Sequence, residues 1–299
     1  MTASAHIQAF FHAASHTVSY LLADPNSRRA AVIDPVLDFD YPSGRVSFES
    51  AGQLLQAVQQ QGLALDWILE THAHADHLSA AQWLKQQTGA KVAIGEHIGA
   101  VQKIFRARFN LDDVSEDGRE FDRLLKEGDA LALGDVTIEV LHTPGHTPAC
   151  VAYYVKTNGA QNAVFVGDTL FMPDYGTARA DFPGGDARTL YRSIRRLLAL
   201  PPQTKLFMCH DYKPEKGRDT FAWESTVAQQ RAHNVHIHAG ISEDAFVAMR
   251  EQRDAALPAP TLLLPAVQVN IRAAHLPPVE ANGMRYLKIP LEITTDPAL

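Results

Sequence analysis

A chain of 299 residues with 46% hydrophobic and 20% charged content has the apolar mass for a sizeable core and the make-up of an ordinary globular protein. Its formal net charge of −7, with no long Lys/Arg run, argues against a nucleic-acid groove. Fourteen histidines are the one compositional oddity, and they fit metal chemistry.

Two cysteines occur, Cys150 and Cys209, and they read as reduced, buried thiols rather than a disulfide. No apolar stretch approaches the ~20 residues of a membrane span. Met1–Ile7 has no basic region followed by an apolar run. The expectation is a cytoplasmic protein that engages neither membrane nor nucleic acid.

In chain order, short apolar runs at Val18–Leu22 and Ala30–Ile33 predict strands. Phe48–Gln61 has Leu54, Leu55 and Val58 at helical spacing and stops at Gly62. Trp67–Leu69 predicts a strand, Leu78–Thr88 a helix stopped by Gly89, and Lys91–Ile94 another strand. Alternating strands follow at Ala130–Leu133, Thr137–Leu141 and Ala149–Tyr154. Ala163–Val166 reads as a buried strand, Asp186–Leu198 as a helix and Lys205–Met208 as a strand. Helices are expected from Asp219 to about His233 and from Glu243 to Asp254, before a proline-marked tail. The expected division is a catalytic domain over residues 1–240 and an extension over 241–299. The extension's apolar content (Leu262–Leu264, Val267, Val269, Ile271) suits packing on the core or at a homodimer interface.

Two strand-rich halves, each with helices, suggest two sheets packed face to face and covered outside by helices. The metal-type residues all fall just after strands. Thr71–His77 reads Thr-His-Ala-His-Ala-Asp-His and offers His72, His74, Asp76 and His77. His146 sits in Thr-Pro-Gly-His-Thr, Asp168 in Val-Gly-Asp-Thr-Leu and His210 in Cys-His-Asp-Tyr. Loops at strand ends can bring such groups to one edge of a rigid scaffold. Four ligand types within six positions cannot all serve one ion, so the segment suits one or two adjacent metals. Imidazole and carboxylate serve Zn²⁺ and Fe²⁺ alike. His12, His16, His97, His142, His233, His236, His238 and His275 read as structural.

With these motifs in place, the chain resembles the metallo-β-lactamase fold, with Val32–Pro35 matching its opening strand. The resemblance covers roughly residues 6–235. It implies an α+β, four-layer αβ/βα sandwich with the site at one edge, Asp34 bracing the metal loop without ligating. Within that superfamily the chain is most similar to the persulfide dioxygenases, through Glu70–Ala81, Gly176–Phe182 and the run Arg231–Asn234, Arg250–Asp254 and Tyr286–Pro290. The family's Gly-Arg-Thr-Asp-Phe is here Thr-Ala-Arg-Ala-Asp-Phe. The resemblance implies oxidation of glutathione persulfide by O₂ to sulfite and glutathione at one Fe²⁺ held by His72, His146 and Asp168. His74, Asp76, His77 and His210 would then tune the site or, in a related enzyme, hold a second metal.

Arg179 and Asp181 are expected to pair and shape the pocket, and Tyr212 joins them as a candidate catalytic group. Tyr175, Arg179, Lys213 and Arg250, along with Tyr212, suit the carboxylates and backbone of glutathione. The alternative is a glyoxalase II-like hydrolase of S-acylglutathione thioesters, with two Zn²⁺ bridged by Asp168. The Gly176–Phe182 stretch and the C-terminal run weigh against it.

Overall fold

The computed structural model describes residues 5–157, 161–214 and 216–291. The first four residues of the N-terminal stretch and residues 292–299 of the extension lie outside the described residues. The chain opens with β1 (His6–His12), β2 (Thr17–Ala23) and β3 (Arg29–Ile33), then a hairpin of β4 (Val36–Asp40) and β5 (Arg45–Ser47). Next come α1 (Glu49–Gln60), β6 (Ala64–Leu69), β7 (Leu78–Ser79), α2 (Ala81–Thr88), β8 (Lys91–Gly95), α3 (Ile98–Phe109) and β9 (Arg123–Leu125). The second half runs through β10 (Ala130–Leu133), β11 (Val136–His142), β12 (Val151–Lys156), β13 (Ala163–Phe165), α4 (Ala187–Leu198), β14 (Lys205–Phe207), β15 (Glu224–Thr226) and α5 (Val227–His233). Helices α6 (Glu243–Asp254) and α7 (Leu263–Asn270) complete it. Among the described residues no helix is long and apolar enough to cross a membrane.

Two six-stranded sheets form, in orders β1-β2-β3-β6-β8-β9 and β10-β11-β12-β13-β14-β15. Strand periodicity explains how they stack. Successive side chains point to opposite faces, so Val18, Tyr20 and Leu22 of β2 enter the core shared with Ile138, Val140 and Tyr153 of the other sheet. The intervening Leu21 and Ala23 face Leu54 and Val58 of α1. Across the sandwich, Ala152 and Tyr154 of β12 face Leu190, Ile194 and Leu197 of α4. The outcome is helix, sheet, sheet, helix, the expected four-layer arrangement.

Several elements differ from the sequence expectation. Leu78 and Ser79 do not begin a helix: they pair with β4, and α2 starts at Ala81. The helix expected from Asp219 shortens to α5, because Glu224–Thr226 pairs with β14 instead. Thr226 and Gln229 then form a capping box that starts α5. Helix α3 and strand β1 were not anticipated. Nor was α7 in the proline-marked tail, where Pro265 sits in the first turn and so costs no intrahelical hydrogen bond. Val267 and Ile271 join the core beside α1 and α3, and Ala266 and Val269 pack with Leu37, Leu78 and Ala80.

Candidate metal centre

Strand β3 ends at Ile33, and the backbone of the next residue, Asp34, turns into the left-handed region (φ 49°). That turn sends its carboxylate under the segment after β6. Oδ1 accepts from the Thr71 backbone N–H at 2.7 Å and Oδ2 from Thr71 Oγ1 at 2.8 Å. His74 Nε2 lies 3.0 Å from Asp34 Oδ1 and 3.5 Å from Glu70 Oε2. Burial alone would raise the Asp34 carboxyl, but His74 and the Thr71 bonds outweigh it and hold it below its ordinary value. Burial likewise opposes charge on His74, yet Asp34 and Glu70 push that ring well above its ordinary value. Asp34 therefore braces the loop, and His74 is gripped between two carboxylates.

Hydrogen bonding fixes the tautomers of the neighbouring histidines. The Thr71 hydroxyl spends its one proton on Asp34, so at 3.0 Å it can only accept from His72 Nδ1. His72 Nε2 then carries the free lone pair, and it is buried without a hydrogen-bond partner. His146 Nδ1 donates to the Arg179 carbonyl at 2.8 Å, which frees its Nε2 in the same way. Two glycines permit this approach. A Cβ on Gly145 (φ 135°) would lie 2.3 Å from Leu190 Cα, and one on Gly167 (φ 53°) 2.8 Å from the Thr71 side chain. Asp168 Oδ2 stands 3.9 Å from His72 Nε2 and 3.7 Å from His146 Nε2. Ligand atoms of all three lie within 4.8 Å of one another. Burial and the surrounding imidazoles keep the His72 ring well below its ordinary value, so it is a neutral donor. The unpartnered, buried Nε2 of His72 and a donor set of two imidazole nitrogens and a carboxylate oxygen suit a divalent ion.

Asp168 faces a second set as well. Its Oδ1 lies 3.3 Å from His210 Nε2, which is itself 3.5 Å from Asp76 Oδ2. His77 Nδ1 donates to the Leu78 carbonyl at 3.0 Å, leaving Nε2 free and buried. Burial and His74 bring the His77 ring down to about 3. Burial opposes the Asp76 charge, but His210, His77 and His74 bring that carboxyl to about 2. Among the described residues, the compact ligand groups other than His72–His146–Asp168 all pass through His74.

A cavity of about 930 Å³ opens over His146, Asp168, Asp76 and His77. Tyr175 and Tyr212 line it, as expected. Their rings lie 5.3 Å apart, and Tyr212 stacks on His210 at 5.4 Å. Arg179 and Asp181 also line it and form the expected pair, with contacts of 2.6 and 2.7 Å. Arg179 further donates to the Pro258 carbonyl at 2.8 Å. Arg250 lines the cavity as well but is only 2% exposed; its guanidinium is committed to Asp254 (2.9 and 2.7 Å) and the Thr177 carbonyl. Lys213 is not among the lining residues, and its Nζ donates to the Asp219 carbonyl at 3.3 Å.

Sequence reasoning missed Arg253, one helical turn beyond Arg250, which is exposed and lines the cavity. It also placed His12 and His16 in the structural class, whereas both line the cavity. Cys150 and Cys209 are free and buried. Burial lifts the Cys150 thiol to about 12 and the Cys209 thiol well above its ordinary value, so neither is poised as a nucleophile.

The loop after His210 is anchored by Asp211, which accepts two bonds of 2.8 Å from Arg218 and one of 2.7 Å from the Ala222 N–H. Burial opposes its charge, but these bonds hold its carboxyl below the usual range. A depressed folded value means the stabilisation is complete above the unfolded pKa of about 3.9 and is lost as pH falls through the folded value. Asp211→Asn should therefore cost about 1.5–3 kcal/mol at pH 7. In urea unfolding the gap from wild type should close below about pH 4; a gap that stays constant to pH 3 would count against it.

Residues 13–210 match the model of the Metallo-beta-lactamase superfamily. A Burkholderia pseudomallei protein named Probable metallo-hydrolase is 56% identical, covering 96% of this chain and 99% of its own. Glyoxylase B2 of Dictyostelium discoideum is 45% identical, covering 97% and 98%. The mouse mitochondrial persulfide dioxygenase ETHE1 is 31% identical, covering 89% and 87%. The chain spans 64–65% of the length of three longer relatives. The crystal structure of ETHE1 from Myxococcus xanthus matches with a TM-score of 0.70 at 31% identity, covering 90% of this chain and 100% of that one. The sandwich, the ligand-bearing loops at its edge and these likenesses lead to one conclusion: the chain belongs to the metallo-β-lactamase superfamily and is a metalloenzyme.

Proposed function

We propose that the protein is a persulfide dioxygenase, oxidising glutathione persulfide with O₂ to sulfite and glutathione at a single Fe²⁺ held by His72, His146 and Asp168. The observation that carries this reading is that, among the described residues, these three form the one compact ligand group independent of His74, whose Nε2 is engaged by Asp34 and Glu70. The full-length likeness to ETHE1 supports it. The two imidazoles and the carboxylate would hold Fe²⁺, which would supply the redox chemistry that joins the persulfide sulfur to O₂.

The chain's own residues do the rest. Asp34, through Thr71, holds His72 in the ligating tautomer, and the Arg179 carbonyl does so for His146. The Arg179–Asp181 pair shapes the wall beside them. Burial lifts the Tyr212 phenol well above its ordinary value, so it stays a proton donor facing the cavity. Tyr175 extends the wall toward Arg253, which offers a cation to a glutathione carboxylate. Asp76, His77 and His210 orient the site. We extend the reading to a cytoplasmic homodimer acting on small molecules, with catalytic residues 1–240 and an extension over 241–299.

A second reading has a specific observation in its favour. All seven ligand-type residues remain, with His210 Nε2 only 3.3 Å from Asp168 Oδ1, as a binuclear zinc thioester hydrolase of the glyoxalase II type would need. Parallel assays separate the two. The iron-loaded protein should consume O₂ when given glutathione persulfide and leave S-lactoylglutathione nearly untouched. Brisk thioester hydrolysis with background O₂ uptake would favour the hydrolase.

A further inference from the structure

The metal loop is held from outside the sandwich by one side chain of α7. Asn270 is 5% exposed. Its Nδ2 donates to the His74 carbonyl and to the His77 carbonyl, both at 2.8 Å. Its Oδ1 accepts from the Ser79 N–H, also at 2.8 Å. One amide thus uses both donors and its acceptor on three backbone groups of one short segment. Between those groups lie Asp76 and His77, and His72 stands two residues before the first.

Helix α7 is itself fixed. Gln102 Nε2 donates to the Ile271 carbonyl at 2.9 Å, and Arg272 pairs with Asp113 at 3.0 and 2.7 Å. Val267, Val269 and Ile271 are fully buried. The far side of the loop is tied by Ser79 Oγ, which donates to Glu70, the partner of His74. Asn270 therefore connects α7 to the backbone that carries the ligand-type side chains, with its amide committed to that backbone.

We propose that Asn270 is a positioning residue that sets the path of the loop from His74 to Ser79, and so makes metal affinity depend on the C-terminal extension. This rests on the metal-loop reading and is independent of which reaction follows. Removing the amide leaves two buried carbonyls without a donor and one N–H without an acceptor, so the loop must shift to find partners. Groups that orient metal ligands typically change affinity by about 10–100-fold when lost.

The test compares Asn270→Ala, Asn270→Gln and a control, Gln268→Ala, on the same helix. Gln268 is as buried as Asn270, but its amide serves the Leu264 and Lys288 carbonyls, away from the metal loop. Affinity is read by titrating Fe²⁺ and Zn²⁺ against a competing chelator, and the iron environment by the paramagnetic resonance spectrum of the nitric oxide adduct. Asn270→Ala should bind either metal about 10–100-fold more weakly with an altered spectrum. Gln268→Ala should lower Tm while leaving both readouts at the wild-type level. Asn270→Gln keeps the hydrogen-bonding groups on a longer stem, so it should fold and still weaken metal binding. That variant carries the test if Asn270→Ala does not accumulate. Wild-type affinity and spectrum in folded Asn270→Gln or Asn270→Ala would overturn the proposal, as would equal metal loss in Gln268→Ala. Failure of the ligand reading would show instead as full metal content in His146→Ala.

Discussion

Replacing His146 or Asp168 by alanine is expected to strip the protein of its metal, whereas His210→Ala is expected to leave most of it bound. The expectation follows from how each residue is held. His146 Nε2 and His72 Nε2 converge on one oxygen of Asp168 at 3.7 and 3.9 Å. Hydrogen bonds on the opposite ring nitrogens fix both imidazoles, so losing one vertex of the triangle removes a donor already held in place. His210 instead approaches the other oxygen of Asp168. Loss of a ligand should lower affinity beyond the roughly 10–100-fold seen for outer partners, with turnover falling in proportion to metal content. Metal analysis of the three purified variants, with circular dichroism to confirm folding, decides the matter. Equal loss in all three would indicate a shared binuclear centre.

Asp34→Ala is expected to be the most destabilising single change near the site, at about 3–5 kcal/mol. Asp34 is 2% exposed and satisfies the Thr71 N–H, the Thr71 hydroxyl and the His74 ring. Truncation leaves all three buried, with the His74 ring facing only Glu70. Its left-handed backbone, which Asp and Asn adopt more readily than Ala, adds to the cost. Asp34→Asn keeps that conformation and one acceptor, so it should lose less. Urea unfolding of metal-free protein measures both. A loss under 1 kcal/mol for Asp34→Ala would mean that the loop does not depend on this carboxylate.

The fold and the ligand candidates were legible because they depend on local signals. Apolar runs ending in His72, Asp168 or His210 are strands that stop where a polar loop must begin, and the sandwich follows from their alternation. Helix α3 had a readable face, Ile98, Val101, Phe105 and Phe109, all buried, but it lacks a side-chain cap and an acidic first turn to mark its start. Arg250 and Asp254 have the i,i+4 spacing of a helical ion pair; Arg250 lines the cavity with its guanidinium committed to Asp254 and Thr177, whereas Arg253 lines it exposed, a difference that depends on burial and not on spacing. Asn270 meets its partners across 191–196 residues of chain, and no local pattern in the tail marks it. His74 was legible as a ligand type. Its capture by Asp34 and Glu70 was not, since that depends on the turn at Asp34 and on the burial of both carboxylates.

On the proposed reading, this edge of the sandwich oxidises a persulfide sulfur and does not hydrolyse a thioester. The most direct measurement follows dissolved O₂ and sulfite together, in anaerobically prepared, iron-loaded protein given glutathione persulfide and then O₂. O₂ uptake should begin only with the persulfide present, with sulfite formed in equal amount and both lost in Asp168→Ala. Persulfide left intact with no O₂ consumed, by protein that retains its iron, would contradict that reading.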